Sequence, residues 1–171
     1  MSAQTFALES LQTPTGKMFI VTDEGGRLRA ADWADHEDRM RRLLRLHCPQ
    51  GIFELRETSQ PSAARNALET YFAGDAGFIN GVATVTNGTE FQRAVWDALR
   101  RIPFGQTVSY GALAVAIGRP KAVRAVGLAN GANPIAIFVP CHRVIGKDNS
   151  LTGYGGGLER KRWLLKHEAS L

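Results

Sequence analysis

The chain has 171 residues, 44% of them hydrophobic, and carries 21 Lys and Arg against 16 Asp and Glu, a net charge of +5. This length and composition fit one large or two small globular domains with a core of their own, and no apolar run approaches the ~20 residues a membrane span needs. Cys48 and Cys141 are the only cysteines, too few for a disulfide framework. The opening MSAQTFALES has no basic flank before an apolar run, so no signal peptide is expected and a cytoplasmic location is. Without one, the sequon at Asn87–Thr89 is read as chance. The positive excess favours a polyanionic partner, because Lys and Arg displace the counterions around phosphates. Arg93, Arg100, Arg101, Arg119, Lys121, Arg124, Arg143 and Lys147 all lie in the second half.

In chain order, TFALESL, KMFIVT and RLRAADW alternate as β structure, separated by turn signals at Pro14-Thr15-Gly16 and Glu24-Gly25-Gly26. An antiparallel meander is expected. HEDRMRRLLRLH puts Met40, Leu43, Leu44 and His47 at helical spacing. PSAARNALETYF is a second helix with Ser62 as its cap. The small, Gly-rich AGDAGFINGVATVTNG reads as a connection, dividing an α/β domain over 1–86 from a second domain over 87–171.

The second half reads mainly as helix. Thr89 and Gln92 have capping-box spacing ahead of an apolar stripe of Phe91, Val95, Leu99 and Ile102, which Pro103 stops. SYGALAVAIG is a short helix with Ser109 at its cap and Gly118 at its end. RPKAVRAVGLANGANP is another, expected to start at Pro120 and to dissolve at Gly131 and Pro134. IAIFV reads as a short buried strand ended by Pro140, and LERKRWLLKHE as the closing helix. The fold class expected is α+β, a small antiparallel sheet with helices followed by a mainly helical domain.

The two short helices joined at Gly118-Arg119-Pro120 have the form of a helix-turn-helix, or of an ordinary helical corner. The second carries Ala122, Ala125, Gly127, Ala129 and Gly131, with basic Lys121 and Arg124 near its start. Small residues allow close approach of the backbone, and positive charge at a helix N-terminus favours phosphates. Tight helix–helix packing reads the same pattern equally well.

PCHRVIG sets Cys141 beside His142, behind Pro140. A free thiol, pKa about 8.5, is mostly protonated at neutral pH, and an imidazole activates it by accepting the proton. Neighbours on a strand face opposite ways, but a turn forced by Pro140 brings the two side chains together, directly or through water. A zinc site needs about four ligands, and neither Cys-x-x-Cys nor His-x-x-x-His accompanies this pair. A buried, inert cysteine is the other reading, and the one given to Cys48.

NPIAIFVPCHRVIG followed by LTGYGGGLERKRWLLKHE closely resembles the O6-alkylguanine-DNA alkyltransferases, also called methylated-DNA–protein-cysteine methyltransferases. The resemblance covers Thr89 to the end. It is nearest the single-function bacterial form, and the N-terminal zinc ligands that some members carry are missing.

The resemblance implies a winged-helix-like helix-turn-helix and a single-turnover DNA repair activity. Cys141 becomes the acceptor of the alkyl group from guanine O6, His142 a base acting through water, and Glu168 the residue that orients it. Tyr110 matches the tyrosine that protonates the departing guanine, and also lies at the DNA surface. Asn133 matches the asparagine that joins the helix-turn-helix to the active-site segment. Arg124 matches the arginine finger that replaces the extruded base, on a helix lying in the minor groove with Lys121, Ala125 and Gly127. Tyr154, Gly155, Gly156, Val144 and Val139 would wall the guanine pocket. Glycine at 155 implies room for bulky O6-alkyl groups and for O4-alkylthymine. The partner implied is double-stranded DNA containing O6-alkylguanine, met by a monomer, with clustering on DNA left open. No cofactor and no metal are implied. A lesion-binding or regulatory helix-turn-helix protein without chemistry is the alternative, and Cys141 argues against it.

Overall fold

A computed structural model describes residues 3–48 and 51–171. The chain forms two units of an α+β fold. The first comprises the residues up to Asn87 together with Pro134–Phe138, and the second Gly88–Asn133 with Val139–Leu171.

The first unit is built on a four-stranded sheet in the order β3-β2-β1-β4. Strands β1 (Gln4–Thr13), β2 (Gly16–Thr22) and β3 (Leu28–Trp33) are the expected antiparallel meander. Gly16 and Gly26, at φ 118° and 77°, take the turn conformations that a side chain resists. Strand β4 (Phe53–Glu57) was not anticipated; it pairs parallel with β1, so the sheet is mixed. Helix α1 (Glu37–His47) brings Met40 and Leu44 onto Phe6, Leu8, Val21, Ala30 and Cys48. Cys48 is thus a core residue, and burial pushes its thiol pKa up. Helix α2 (Ala63–Phe72) is capped by Ser62 Oγ, which accepts from Arg65 N at 3.1 Å.

The IAIFV strand does not form. Ile135 alone pairs, with Ala31 of β3, through Ala31 N to Pro134 O at 3.1 Å and Ala136 N to Ala31 O at 2.9 Å. Beyond it the chain makes a γ-turn centred on Ile137, with φ 72° and a Phe138 N to Ala136 O bond of 2.9 Å. A β-branched residue at positive φ is strained, and its complete burial holds it there. An apolar run is equally compatible with buried strand and buried turn, and here the turn prevails.

In the second unit, α3 (Glu90–Arg100) starts at a complete capping box between Thr89 and Gln92. Trp96 Nε1 of α3 donates to Ala129 O, 2.9 Å away. Helix α4 (Tyr110–Ala116) is capped by Ser109 and ends at Gly118, φ 75°. Arg119 N to Ala114 O and Gly118 N to Val115 O, 2.9 and 3.0 Å, form a Schellman closure. Helix α5 (Val123–Gly131) starts later than expected: Arg119–Ala122 make a turn, so Lys121 precedes the helix. Strands β5 (Val108–Ser109) and β6 (Val144–Ile145) form a two-residue parallel ladder, and no β-hairpin wing is present among the described residues. Helix α6 (Leu158–Ala169) follows Gly157, whose φ is 98°.

Candidate active site

The site lies in the second unit, where α5, the turn Cys141–Arg143, β6 and α6 converge. Pro140 provides the turn. Its φ of −82° and ψ of 66°, with Cys141 N bonded to Val139 O at 2.8 Å, define an inverse γ-turn leading into a 3₁₀ turn over Cys141–Arg143. Cys141 is 8% exposed, and His142 and Arg143 are buried.

The last turn of α5 and the residues just past it hold this segment by two amides. Asn133 Nδ2 donates to Val139 O at 2.7 Å and lies 3.2 Å from Cys141 Sγ. Asn130 Nδ2 donates to Cys141 O at 3.4 Å. A donor aimed at sulfur favours its thiolate over its thiol.

On the other side, His142 Nε2 lies 2.8 Å from both Oε1 and Oε2 of Glu168. An ionised carboxylate only accepts, so Nε2 carries the proton and Nδ1 presents a lone pair. Nδ1 is buried and meets no hydrogen-bonding group among the described residues. Burial pushes the His142 pKa down; Glu168 opposes the shift, and the charges of Arg143 and Lys161 add to it. Burial works against ionisation of Glu168, yet the hydrogen bonds and charges of His142 and Arg143 prevail and hold its pKa below the ordinary value. The pair is a neutral imidazole on an anionic carboxylate. It can take a proton at Nδ1 and pass it on.

Sequence reading missed two cations. Arg143 donates to Glu168 Oε1 from Nε and Nη2, at 2.9 and 2.5 Å, and to Ile102 O from Nη1 at 2.6 Å. Its guanidinium sits 4.2 Å from the centre of the Phe104 ring. Lys161 is wholly buried, and its Nζ donates to the carbonyls of Val144, Thr152 and Gly153 at 2.6, 2.9 and 3.4 Å. The signal for Arg143 was in the sequence: a guanidinium inside an otherwise apolar run has to be paired.

Val139 and Val144 are buried, and both contribute carbonyls to the network. Gly156 is buried, Tyr154 half-buried and Gly155 exposed. Tyr110 opens α4 half-buried, and a Cβ built on Gly127 of α5 would stand 3.9 Å from its ring, an ordinary contact. Lys121, Arg124 and Ala125 are exposed. From Asp97 to Asp148 the chain contains no acidic residue, so nothing in that stretch offsets the charge of Arg119, Lys121 and Arg124. Among the described residues no group of three or more His, Cys, Asp or Glu is placed to hold a metal ion, and no helix is long and apolar enough to cross a membrane.

A thiol beside an amide donor, next in sequence to a buried imidazole–carboxylate pair and on a unit that carries two short helices with exposed basic residues, defines a cysteine-centred protein. Comparison with known proteins makes the class specific. The family model "6-O-methylguanine DNA methyltransferase, DNA binding domain" matches residues 90–170. The methylated-DNA–protein-cysteine methyltransferase of Salmonella typhimurium is 52% identical over 163 residues, 95% of each chain. That of Methanosarcina acetivorans is 43% identical over 93% of this chain and 96% of its own. The crystal structure of Mycobacterium tuberculosis OGT in complex with DNA matches with a TM-score of 0.75 at 40% identity, covering 96% of this chain and 93% of that one. The O6-methylguanine-DNA methyltransferase of Pyrococcus kodakaraensis matches with a TM-score of 0.72 at 26% identity, over 95% and 98%. The chain belongs to the methylated-DNA–protein-cysteine methyltransferase family.

Proposed function

We propose that the chain is a DNA repair protein that moves the alkyl group of O6-alkylguanine irreversibly onto Cys141. The observation that carries this reading is the placement of Cys141 Sγ, 3.2 Å from Asn133 Nδ2, with the neighbouring His142 bonded to Glu168 at 2.8 Å. The logic is that of a nucleophile–base–carboxylate triad with sulfur as the attacking atom. The thiol proton passes through water to Nδ1 of His142, and Glu168 steadies the imidazole. Sulfur then donates an electron pair to the alkyl carbon, the carbon–O6 bond breaks, and its electrons stay on guanine. Tyr110 supplies the proton that guanine takes up.

Sulfur cannot line up behind the alkyl carbon of a stacked base, so the nucleotide leaves the helix, at a cost of a few kcal/mol. Arg124 fills the vacated place, while Lys121 and the small Ala125 and Gly127 let α5 lie close to the backbone in the minor groove. Tyr154, Gly155, Gly156, Val144 and Val139 wall the pocket. The exposed Gly155 supports acceptance of larger O6-alkyl groups and of O4-alkylthymine. The residues given these roles all lie in the second unit, Gly88–Asn133 with Val139–Leu171. The protein acts in the cytoplasm as a monomer on double-stranded DNA, without metal or cofactor.

The product is a thioether at an sp3 carbon with a poor leaving group, so water does not regenerate the thiol and each molecule acts once. Incubation with excess duplex bearing labelled O6-methylguanine tests this. One equivalent of label on the peptide containing Cys141 is expected. Catalytic release of label points to a hydrolase, and DNA binding without transfer points to a lesion-binding module.

A further inference from the structure

Helix α5 turns a leucine outward. Leu128 is 73% exposed, more than any other large apolar side chain among the described residues. A single exposed leucine means little by itself, and its surroundings decide what it does. In an α-helix, residues four apart lie within ~40° of one another and ~6 Å apart along the axis. Leu128 therefore stands one turn beyond Arg124, on the side of α5 turned away from the buried Val126, Ala129 and Asn130. Ala125 and Gly131, the neighbours of the pair on that side, are exposed and small. Arg124 and Leu128 are thus the two long side chains that project from it. The first suits an anion or a stacked ring, and the second a dry apolar wall.

A nucleic-acid groove offers both at once, with phosphates along its edges and sugar faces as its walls. The core of a protein–protein interface is a cluster of large apolar residues, whereas Leu128 has a cation and two small residues around it. Arg119 and Lys121, in the turn that leads into α5, are exposed, and no acidic residue occurs between Asp97 and Asp148. The charge thus selects a polyanion. We propose that Leu128 is the sugar-reading residue of this surface: it packs on the deoxyribose wall of the minor groove and disfavours ribose there. This deepens the DNA contact proposed above and rests on it. The walls of a DNA minor groove present C–H groups, which a leucine covers without breaking hydrogen bonds. An RNA strand lines its minor groove with 2′-hydroxyls. Leucine strips water from those hydroxyls and has no polar atom to offer in return. Arg119, Lys121 and Arg124 attract any phosphate backbone, and Leu128 adds the preference for DNA.

The test is binding of the full-length protein to short, undamaged, fluorescein-labelled duplexes, read by anisotropy at fixed salt. Three duplexes share one sequence: DNA on both strands, a hybrid with one RNA strand, and a hybrid whose second strand carries 2′-fluoro sugars. The fluoro strand keeps an RNA-like sugar pucker without the hydroxyl. Wild type is expected to bind DNA about tenfold more tightly than the RNA hybrid, the effect of roughly one buried, unpaired hydroxyl, and the fluoro hybrid nearly as tightly as DNA. Leu128→Ala is expected to bind DNA about three- to tenfold more weakly and to bring the DNA-to-hybrid ratio below about twofold. The salt dependence of its binding should not change, because no charge is lost. Leu128→Asn, whose amide can bond a 2′-hydroxyl, should bind the RNA hybrid as well as DNA. Alanine is a good helix former at an exposed position, and an unchanged melting temperature checks that the variant folds. A wild-type ratio near one, or a ratio that survives in Leu128→Ala, overturns the proposal. Equal rejection of the fluoro hybrid also overturns it, by tracing the preference to groove shape. So does sedimentation showing a DNA-free dimer that Leu128→Ala dissolves, since a second copy then covers the leucine. None of these readouts needs a lesion or Cys141. Discrimination without label transfer from O6-methylguanine duplex keeps this inference and sinks the alkyl-transfer reading, and transfer without discrimination does the reverse.

Discussion

Arg143 holds Glu168 with two donors, Nε and Nη2, and the same carboxylate receives His142 Nε2 at 2.8 Å from either oxygen. The carboxylate that orients the imidazole is itself fixed in place by a cation two positions after the nucleophile. All three side chains are out of contact with water.

Arg143→Leu therefore leaves a buried carboxylate without its strongest partner. A loss of about 3–5 kcal/mol is expected, because breaking one side of a buried ion pair leaves an uncompensated charge. Urea unfolding followed by tryptophan fluorescence measures it. A loss below about 1 kcal/mol, the range of exposed pairs, would show that Glu168 is not held as described.

Acid should destabilise the fold in two stages. His142 has a folded pKa below its ordinary 6.5, so between those two values the unfolded chain binds the extra proton and stability falls as pH drops. Glu168 has a folded pKa below its ordinary 4.5; its contribution is complete above 4.5 and is lost as pH falls through the folded value. Unfolding free energy measured from pH 8 to pH 3 is expected to decline from about 6.5 downward, and His142→Gln should lessen the first stage, the remainder belonging to His47, whose pKa burial also lowers. A wild-type profile flat between pH 6.5 and pH 5 contradicts the neutral, buried imidazole.

Gly88 precedes the capping box of α3, and a Cβ placed there would stand 2.5 Å from Cζ3 of Trp96. That ring is buried and tied to Ala129 O through its Nε1. Gly88→Ala is expected to cost about 1–3 kcal/mol, the usual penalty for overpacking. A shift of the urea midpoint at unchanged slope is the readout, and an unchanged midpoint shows that the ring has room to move.

Arg124 lies exposed near the start of α5, and its proposed role concerns the base rather than the chemistry. Arg124→Ala should slow transfer from duplex O6-methylguanine by roughly 10- to 1000-fold, reflecting a few kcal/mol of base extrusion. Reaction with free O6-benzylguanine should be unchanged. Equal loss on both substrates places Arg124 in folding or in the chemistry instead.

Much of the fold was legible because its signals are local. The Thr89–Gln92 box, the Ser62 and Ser109 caps and the Gly118 closure each depend on residues within one turn, and each formed. Pro120 misled because a proline suited to a first helical turn fits an ordinary turn equally well, and α5 begins at Val123. Strand β4 was missed because FELRE is mostly charged and exposed, and its pairing with β1 is remote in sequence. In the site, family likeness singled out Cys141, His142, Glu168 and Asn133, but periodicity had no means of finding Lys161. A helix face is sought by its apolar residues, and the buried face of α6 is Lys161, Leu164 and Glu168. Asn130 was passed over because an asparagine in the last turn of a helix carries no local signal of what its amide reaches.

The pairing of Ile135 with Ala31 bears on how the molecule can be dissected. A recombinant fragment stopping at Asn87 would lack the late-arriving partner of β3, leaving the amide and carbonyl of Ala31 bare on an open margin. Such a margin recruits strands from other molecules. The amino-terminal piece made alone should be sticky, and a linked peptide spanning 134–138 should cure it.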